Sequence, residues 1–246
     1  MEVHAHTHTA RKKWTHYFWE FLMLFLAVFC GFLAEYKLEH VIEHRREKEF
    51  IVSMIEDLQS DTAKIAQLEI TLHEIGNSID TVLLFFNALG DPSNLALTRN
   101  INSILGYPEF IYTDRTIQQL KSSGAMRLIR NKTAADEILN YDAEIRQNQI
   151  DIAWMSDLFR HLTLLRISII NLQLFRKEDF KRKTPEEMKN SEQNYLFTKD
   201  AVLLKNFRSA IYEMRLAHTG SRSRYLVIKE KATSLIVALK KEYHLK

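Results

Sequence analysis

The chain reads as an all-α protein. An N-terminal transmembrane helix continues into a bundle of about three long helices, with a membrane-distal cap of short helices. Three observations lead there. Six Gly and three Pro in 246 residues leave little to interrupt long helices. The run Phe21–Ala34 (FLMLFLAVFCGFLA) holds no charged residue. Beyond it, apolar residues recur at alternating spacings of three and four, the period of a coiled-coil or bundle seam.

The apolar run is flanked by Trp14, Tyr17, Phe18 and Trp19 on one side and Tyr36 on the other. Aromatic rings of this kind are favoured at the headgroup level of a bilayer. The segment 17–36 has the length of a single span, about 20 residues. Glu20 and Glu35 fall near its ends, where a carboxylate costs far less than at mid-bilayer. A cleaved signal peptide fits poorly, because Ala34 and Gly31 as cleavage sites would have Phe32 and Phe29 at −3. The cluster Arg11, Lys12 and Lys13 beside the span predicts a cytoplasmic N-terminus. The chain is thus expected to cross a membrane once, with the large C-terminal bundle periplasmic or extracellular. A lone cysteine, Cys30, allows no internal disulfide.

The span passes into YKLEHVIEHRREKEFIVSMIEDL without a turn signal. One helix is therefore expected from Trp14 to about Leu89, stopped by Gly90, Asp91 and Pro92. Its seam is Ile51, Met54, Leu58, Asp61, Ile65, Leu68, Leu72, Ile75, Ile79, Val82 and Phe86. Gly76 reads as a local weakness of about 1 kcal/mol relative to Ala. Residues 90–132 are broken up and are expected to form the distal cap. It would hold a short helix near Ser93–Leu105 and a second after Asp114 as N-cap. That second helix would end at Ser122-Ser123-Gly124, with Gly124 in a left-handed C-cap. The one stretch with any strand character is Phe110–Tyr112.

A second long helix is expected from about Thr133 to Phe175, with Ile138, Tyr141, Ile145, Ile152, Met155, Leu158, Leu162, Leu165, Ile169 and Leu172 inward. A polar linker follows from Arg176 to Asn194. The third long helix begins near Thr198, with the seam Leu204, Phe207, Ile211, Met214, His218, Ser221, Tyr225, Ile228, Ala232, Leu235 and Leu239. The three lengths match at about 1.5 Å per residue. They suggest an up-down-up bundle whose linker 176–194 returns towards the membrane.

The stretches HTHTARKKWTHYFWEFLMLFLAVFCGFLAEYKLEH and TIQQLKSSGAMRLIRNKTAADEILNYD cover about a quarter of the chain. The first resembles the N-terminus of an uncharacterised Bacteroidetes family of single-pass, membrane-anchored helical proteins. The second resembles the Leu-Lys-Ser-Ser-Gly motif of related proteins, here Leu120, Lys121, Ser122, Ser123 and Gly124. The resemblance implies an inner-membrane anchor in a two-membrane bacterium and no particular activity.

Candidate chemistry is sparse. His4, His6 and His8 alternate in the tail 1–16 and could bind a transition metal. A flexible tail lacks the second shell of a built site, so no metal and no cofactor is expected. Glu20, Ala27, Gly31 and Ala34 share a face of the span; small residues let helix backbones approach in lipid, which points to self-association. Asp61, His218 and Ser221 interrupt the seams. With helix ends aligned they would share one polar layer that sets register or responds to pH. Arg176, Lys177, Lys181, Arg182 and Lys183 could touch headgroups. The net charge of +3 with interspersed signs gives no basic stripe for nucleic acid. No HExxH, P-loop, GxSxG or Cys/His metal spacing is present, so no enzyme is expected. The partners expected are membrane lipid and either further copies of this chain or an envelope complex. The alternative is an accessory sensor or receptor subunit that reads a ligand or pH in the bundle and signals through a partner.

Overall fold

An unbroken helix needs a long run free of Pro, and residues 14–88 contain none. The computed structural model describes residues 14–88, 101, 104, 108–171, 198 and 200–245. In it, α1 runs from Trp14 to Ala88. Contacts divide the chain into two units, Met1–Phe50 and Ile51–Lys246.

In the first unit, α1 turns its apolar side chains outward all round. Phe21, Leu24, Phe25, Phe29 and Phe32 are exposed, and none of the most apolar eighteen-residue stretch is buried. Phe21, Phe25 and Phe29 stack along the helix with ring centroids 6.2 and 5.9 Å apart. This helix is long and apolar enough to cross a membrane. The expected residues His4, His6 and His8, and the cluster Arg11–Lys13, lie outside the described residues.

In the second unit the seam of α1 is inward as its spacing predicts. Ile51, Leu58, Ile65, Leu72, Ile79 and Val82 are fully buried. Each such side chain stabilises the fold by about 1.5–3 kcal/mol relative to exposure. α2 spans Arg115–Ser122 and is followed by a 3₁₀ turn, Ala125–Leu128. α3 spans Lys132–Ile169, with the Asn131 side chain accepting from the Ala134 N–H. α4 spans Ala201–Glu242 and is capped by Asp200, whose carboxylate accepts from the N–H groups of Val202 and Leu203. No strand occurs among the described residues, and Phe110–Tyr112 is neither strand nor helix.

Two boundaries differ from expectation. α3 stops at Ile169, not near Phe175, because Ile170 turns to an extended backbone. The run Ile167–Asn171 (ISIIN) explains the stop: β-branched residues and Asn weaken the last turn, and Ile170 is buried in the core in its extended form. α4 starts at Ala201 rather than Thr198, because Asp200 takes the cap and Thr198 instead accepts from the Asp200 N–H.

The helix directions also correct the expectation. Phe86 meets Phe207, Asp80 pairs with Arg215, and Glu69 pairs with Lys229. Numbers fall along α1 as they rise along α4, so these helices are antiparallel. Asp151 with Arg224 and Glu144 with Lys231 make α3 and α4 antiparallel too. α1 and α3 therefore run parallel, and the order is up-up-down instead of up-down-up. The connection from Ala88 folds back: Thr113 binds Asp61 and Thr116 binds Asp57. That return is about 40 Å along α1, well within the roughly 80 Å that the intervening residues can reach when extended. The short helix expected in a distal cap thus lies beside Asp57–Lys64, well away from the Ala88 end. The flanks of the polar linker move correspondingly. Ile169, Ile170 and Phe207 share a core cluster with Val82 and Leu83 at the Ala88 end of α1. The linker residues Arg176–Asn194 themselves, like most of the expected Ser93–Leu105 helix, lie outside the described residues, although Ile101 and Ile104 are buried in the same cluster.

Candidate functional site

Helical spacing puts residues four apart on one face, and Asp57 and Asp61 are such a pair on α1. Both are buried. A buried carboxylate must be met by donors or it destabilises the fold, and both are met by the returning segment 111–116. Asp57 accepts from the Arg115 guanidinium at 2.7 Å and from the Thr116 N–H at 2.9 Å. Asp61 accepts from the Thr113 N–H at 2.7 Å and from the Tyr141 hydroxyl of α3 at 2.8 Å. Lys64, one turn on, donates to the Ile111 carbonyl and the Thr113 hydroxyl.

A third buried carboxylate, Asp142 of α3, closes the layer. It accepts from the Tyr112 hydroxyl at 3.0 Å and from Lys121 and Arg146. The segment 111–121 is therefore clamped by α1 and α3 through three carboxylates. The N-terminus of α2 is capped from another helix: Asp114 occupies the cap position but makes no side-chain capping bond, and Asp57 takes that role at Thr116. Asp114 thus holds the expected cap position, and only its side-chain bond is replaced. Burial raises the Asp61 carboxyl above its ordinary value against the lowering effect of its hydrogen bonds to Thr113 and Tyr141. Burial, reinforced by the neighbouring carboxylate, pushes the hydroxyls of Tyr141 and Tyr112 up, so both stay protonated as donors.

The Leu-Lys-Ser-Ser-Gly motif serves this layer. Leu120 is fully buried, and Lys121 reaches Asp142. Ser122 and Ser123 are exposed. The Ser123 hydroxyl donates to the Gln119 carbonyl at 2.6 Å and accepts from the Ala125 N–H. Gly124 has φ 68°, the left-handed conformation expected for it, which Gly adopts without steric cost.

Asp61 and His218 do not meet. The His218 ring donates from Nε2 to the Leu72 carbonyl at 2.8 Å, and Leu72 is about 16 Å along α1 from Asp61. The antiparallel direction of α4 sets this register and removes the layer expected from aligned ends. Ser221 is only half-buried and joins neither group. The ring lies against Gly76: a Cβ there would sit 3.1 Å from Cε1 of His218. The glycine that looked like a weakness is the space that admits the histidine. Burial lowers the His218 pKa below 6.5, with Arg215 and Arg222 adding to the effect.

Sequence spacing missed Asp57, Asp142, Tyr112 and Asn148. Asn148 falls at a seam position between Ile145 and Ile152 and is buried; its spacing alone would have revealed it. Asp57 is four residues from Asp61, which was the available signal. Asp142 and Tyr112 gave none, since their partners come from the fold-back. A groove of about 620 Å³ lies between α3 and α4, with Tyr141 and Leu235 at its wall and Glu144, Arg224 and Lys231 among its lining residues. Arg224 and Lys231 both bind Glu144, and the Lys231 bond holds its carboxyl below the usual range.

In the first unit, Ala27, Gly31 and Ala34 are all exposed, and a Cβ on Gly31 would meet nothing within 4 Å. Glu20 is half-buried, 3.1 Å from His16 one turn before it. Among the described residues, no group of three or more His, Cys, Asp or Glu is placed to hold a metal. No family model, no curated protein and no solved structure matches the chain.

Proposed function

We propose that this chain is a membrane-anchored helical scaffold of a bacterial envelope that self-associates through its span. It sits in the inner membrane with its N-terminus cytoplasmic and its bundle periplasmic. The observation that carries the reading is the fully exposed apolar stretch of α1. Leaving Phe21, Leu24, Phe25, Phe29 and Phe32 in water would cost about 1.5–3 kcal/mol each, and a lipid core removes that cost. The aromatic flanks and the cluster Arg11–Lys13 support the location and the orientation. The scaffold role is supported by the carboxylate layer, whose oxygens are engaged by donors of the chain itself.

Gly31→Leu is a clean test, because Gly31 is exposed and a Cβ added there meets nothing within 4 Å. A membrane-impermeant, amine-reactive crosslinker is added to intact spheroplasts expressing either form. The wild-type bundle reacts and yields oligomers. The variant yields fewer, corresponding to a loss of about 1–2 kcal/mol, roughly 5- to 30-fold in association. Protein that reacts only after lysis reverses the orientation. Equal oligomers in both forms move the contact out of the span, and monomers in both remove self-association.

The alternative reading, an accessory receptor subunit, is favoured by the α3–α4 groove, since Tyr141 links its wall to the Asp61 clamp. In that reading a small polar ligand in the groove would act on the clamp and signal through a partner.

A further inference from the structure

His218 is 3% exposed and half satisfied. Its Nε2–H donates to the Leu72 carbonyl, which fixes the neutral tautomer and leaves Nδ1 as an acceptor. Nδ1 has no hydrogen-bond partner among the described residues. The ring is wedged at the Gly76 gap, so it cannot turn without losing the Leu72 bond. Among the described residues, Asp80 is the one carboxylate whose charge favours a protonated ring, and burial and the nearby arginines outweigh it. From α1, Asp80 is already held by Arg215 through two bonds at 2.6 and 3.1 Å, and His73 is exposed. On α4, Arg215 and Arg222 are both cationic. From α3, the buried Met155 and Leu158 are apolar, and Asp157 is exposed and paired with Arg160.

We propose that His218 and Gly76 form an acid-labile joint in the α1–α4 seam, opened when a proton on Nδ1 creates a buried N–H with no acceptor. The unfolded ring takes up a proton near pH 6.5 and the folded ring only at lower pH. Between those values the open form binds more protons, so the stabilisation present above pH 6.5 is lost as the pH falls through that window. The limiting slope for one proton is a tenfold change in the closed-to-open ratio per pH unit. The inference is independent of whether the span crosses a membrane.

The full-length protein in detergent micelles is followed by amide hydrogen exchange between pH 7.5 and 5.5, corrected for intrinsic exchange. Protection in peptides covering residues 72–80 and 211–222 falls several-fold more than protection in residues 228–239. His218→Gln, whose amide can donate to Leu72 but does not titrate here, abolishes the difference. A wild-type profile parallel to the variant's overturns the joint. Should the variant fail to fold, the wild type decides alone by ¹⁵N-histidine NMR. A ring that is Nε2-protonated at pH 7.5 and titrates below 6.5 supports the proposal, and titration at or above 6.5 overturns it.

Discussion

Two polar interruptions of otherwise apolar seams, Asp61 and His218, are handled in opposite ways. Asp61 meets a full set of donors: the Thr113 N–H, the Tyr141 hydroxyl and, at 3.8 Å, the Lys64 ammonium. His218 meets one acceptor and one gap, the Leu72 carbonyl and the space at Gly76. Asp61 joins three parts of the chain, α1, the fold-back and α3. His218 joins only α4 to α1. A polar residue that collects partners fixes where a segment goes, whereas one that fills a notch fixes register and leaves a titratable group poorly satisfied. Buried polar networks specify structure when complete and are weak points when partial.

The largest break in this comparison is Asp61→Ala. It leaves the Thr113 N–H and the Tyr141 hydroxyl buried without their acceptor, at about 1–3 kcal/mol each. The expected loss is about 3 kcal/mol in denaturant unfolding of the full chain in detergent, with early proteolysis between residues 108 and 131. Unfolding within about 0.5 kcal/mol of wild type would mean that the fold-back is held by Phe110, Ile117 and Leu120 alone.

Gly76→Ala is smaller and of contested sign. Helix propensity favours it by about 1 kcal/mol. The added Cβ at 3.1 Å from His218 must displace a ring tied to Leu72, at a cost of about 1–3 kcal/mol if that bond is lost. The expected net is a destabilisation of about 1 kcal/mol on the same measurement; a stabilised variant would show that the ring moves freely.

Asp61→Asn is the mildest change and sharpens the comparison. The amide oxygen can accept from Thr113 and the amide nitrogen can donate to the Tyr141 hydroxyl, so the cost at pH 7 is expected within about 1 kcal/mol. The pH dependence separates the two sites. Asp61 has a raised folded pKa, so the folded chain binds more protons above the ordinary carboxylate value and stability falls as the pH rises through that window. Acidifying from pH 7 towards 4 should therefore stabilise wild type relative to Asp61→Asn. His218, with a lowered pKa, contributes in the opposite direction below 6.5. Thermal unfolding of both forms across this range measures the difference; a constant gap would remove the raised pKa from the account.

The same contrast marks what was legible in the sequence. Nearly every seam residue of the long helices from Ile51 to Leu239 is buried at the position its spacing assigned. The outward apolar face of the first unit also follows from the run Phe21–Ala34. The cap at Gly124 was readable because a left-handed residue after a short helix needs Gly. The Asp61–His218 layer was not, and neither was the fold-back of residues 111–121 onto Asp57–Lys64. Both depended on helix direction, and a seam with three-four spacing reads the same forwards and backwards. The informative clue was the length of the connection after Ala88, far longer than the 2–8 residues of a helical hairpin. Such a length permits the return to Thr113.

The sequence by itself determined that the chain is helical, where its long helices lie, which faces they bury and that one end is apolar enough for lipid. Those properties follow from composition and local periodicity. The tertiary structure decided the direction of each helix and the partners of Asp57, Asp61, Asp142 and His218. It also decided that Gly76 is a socket. Each of these rests on contacts between residues far apart in the chain, such as Asp80 with Arg215 and Asp61 with Tyr141, and no local pattern encodes which distant residue will supply a buried carboxylate with its donor.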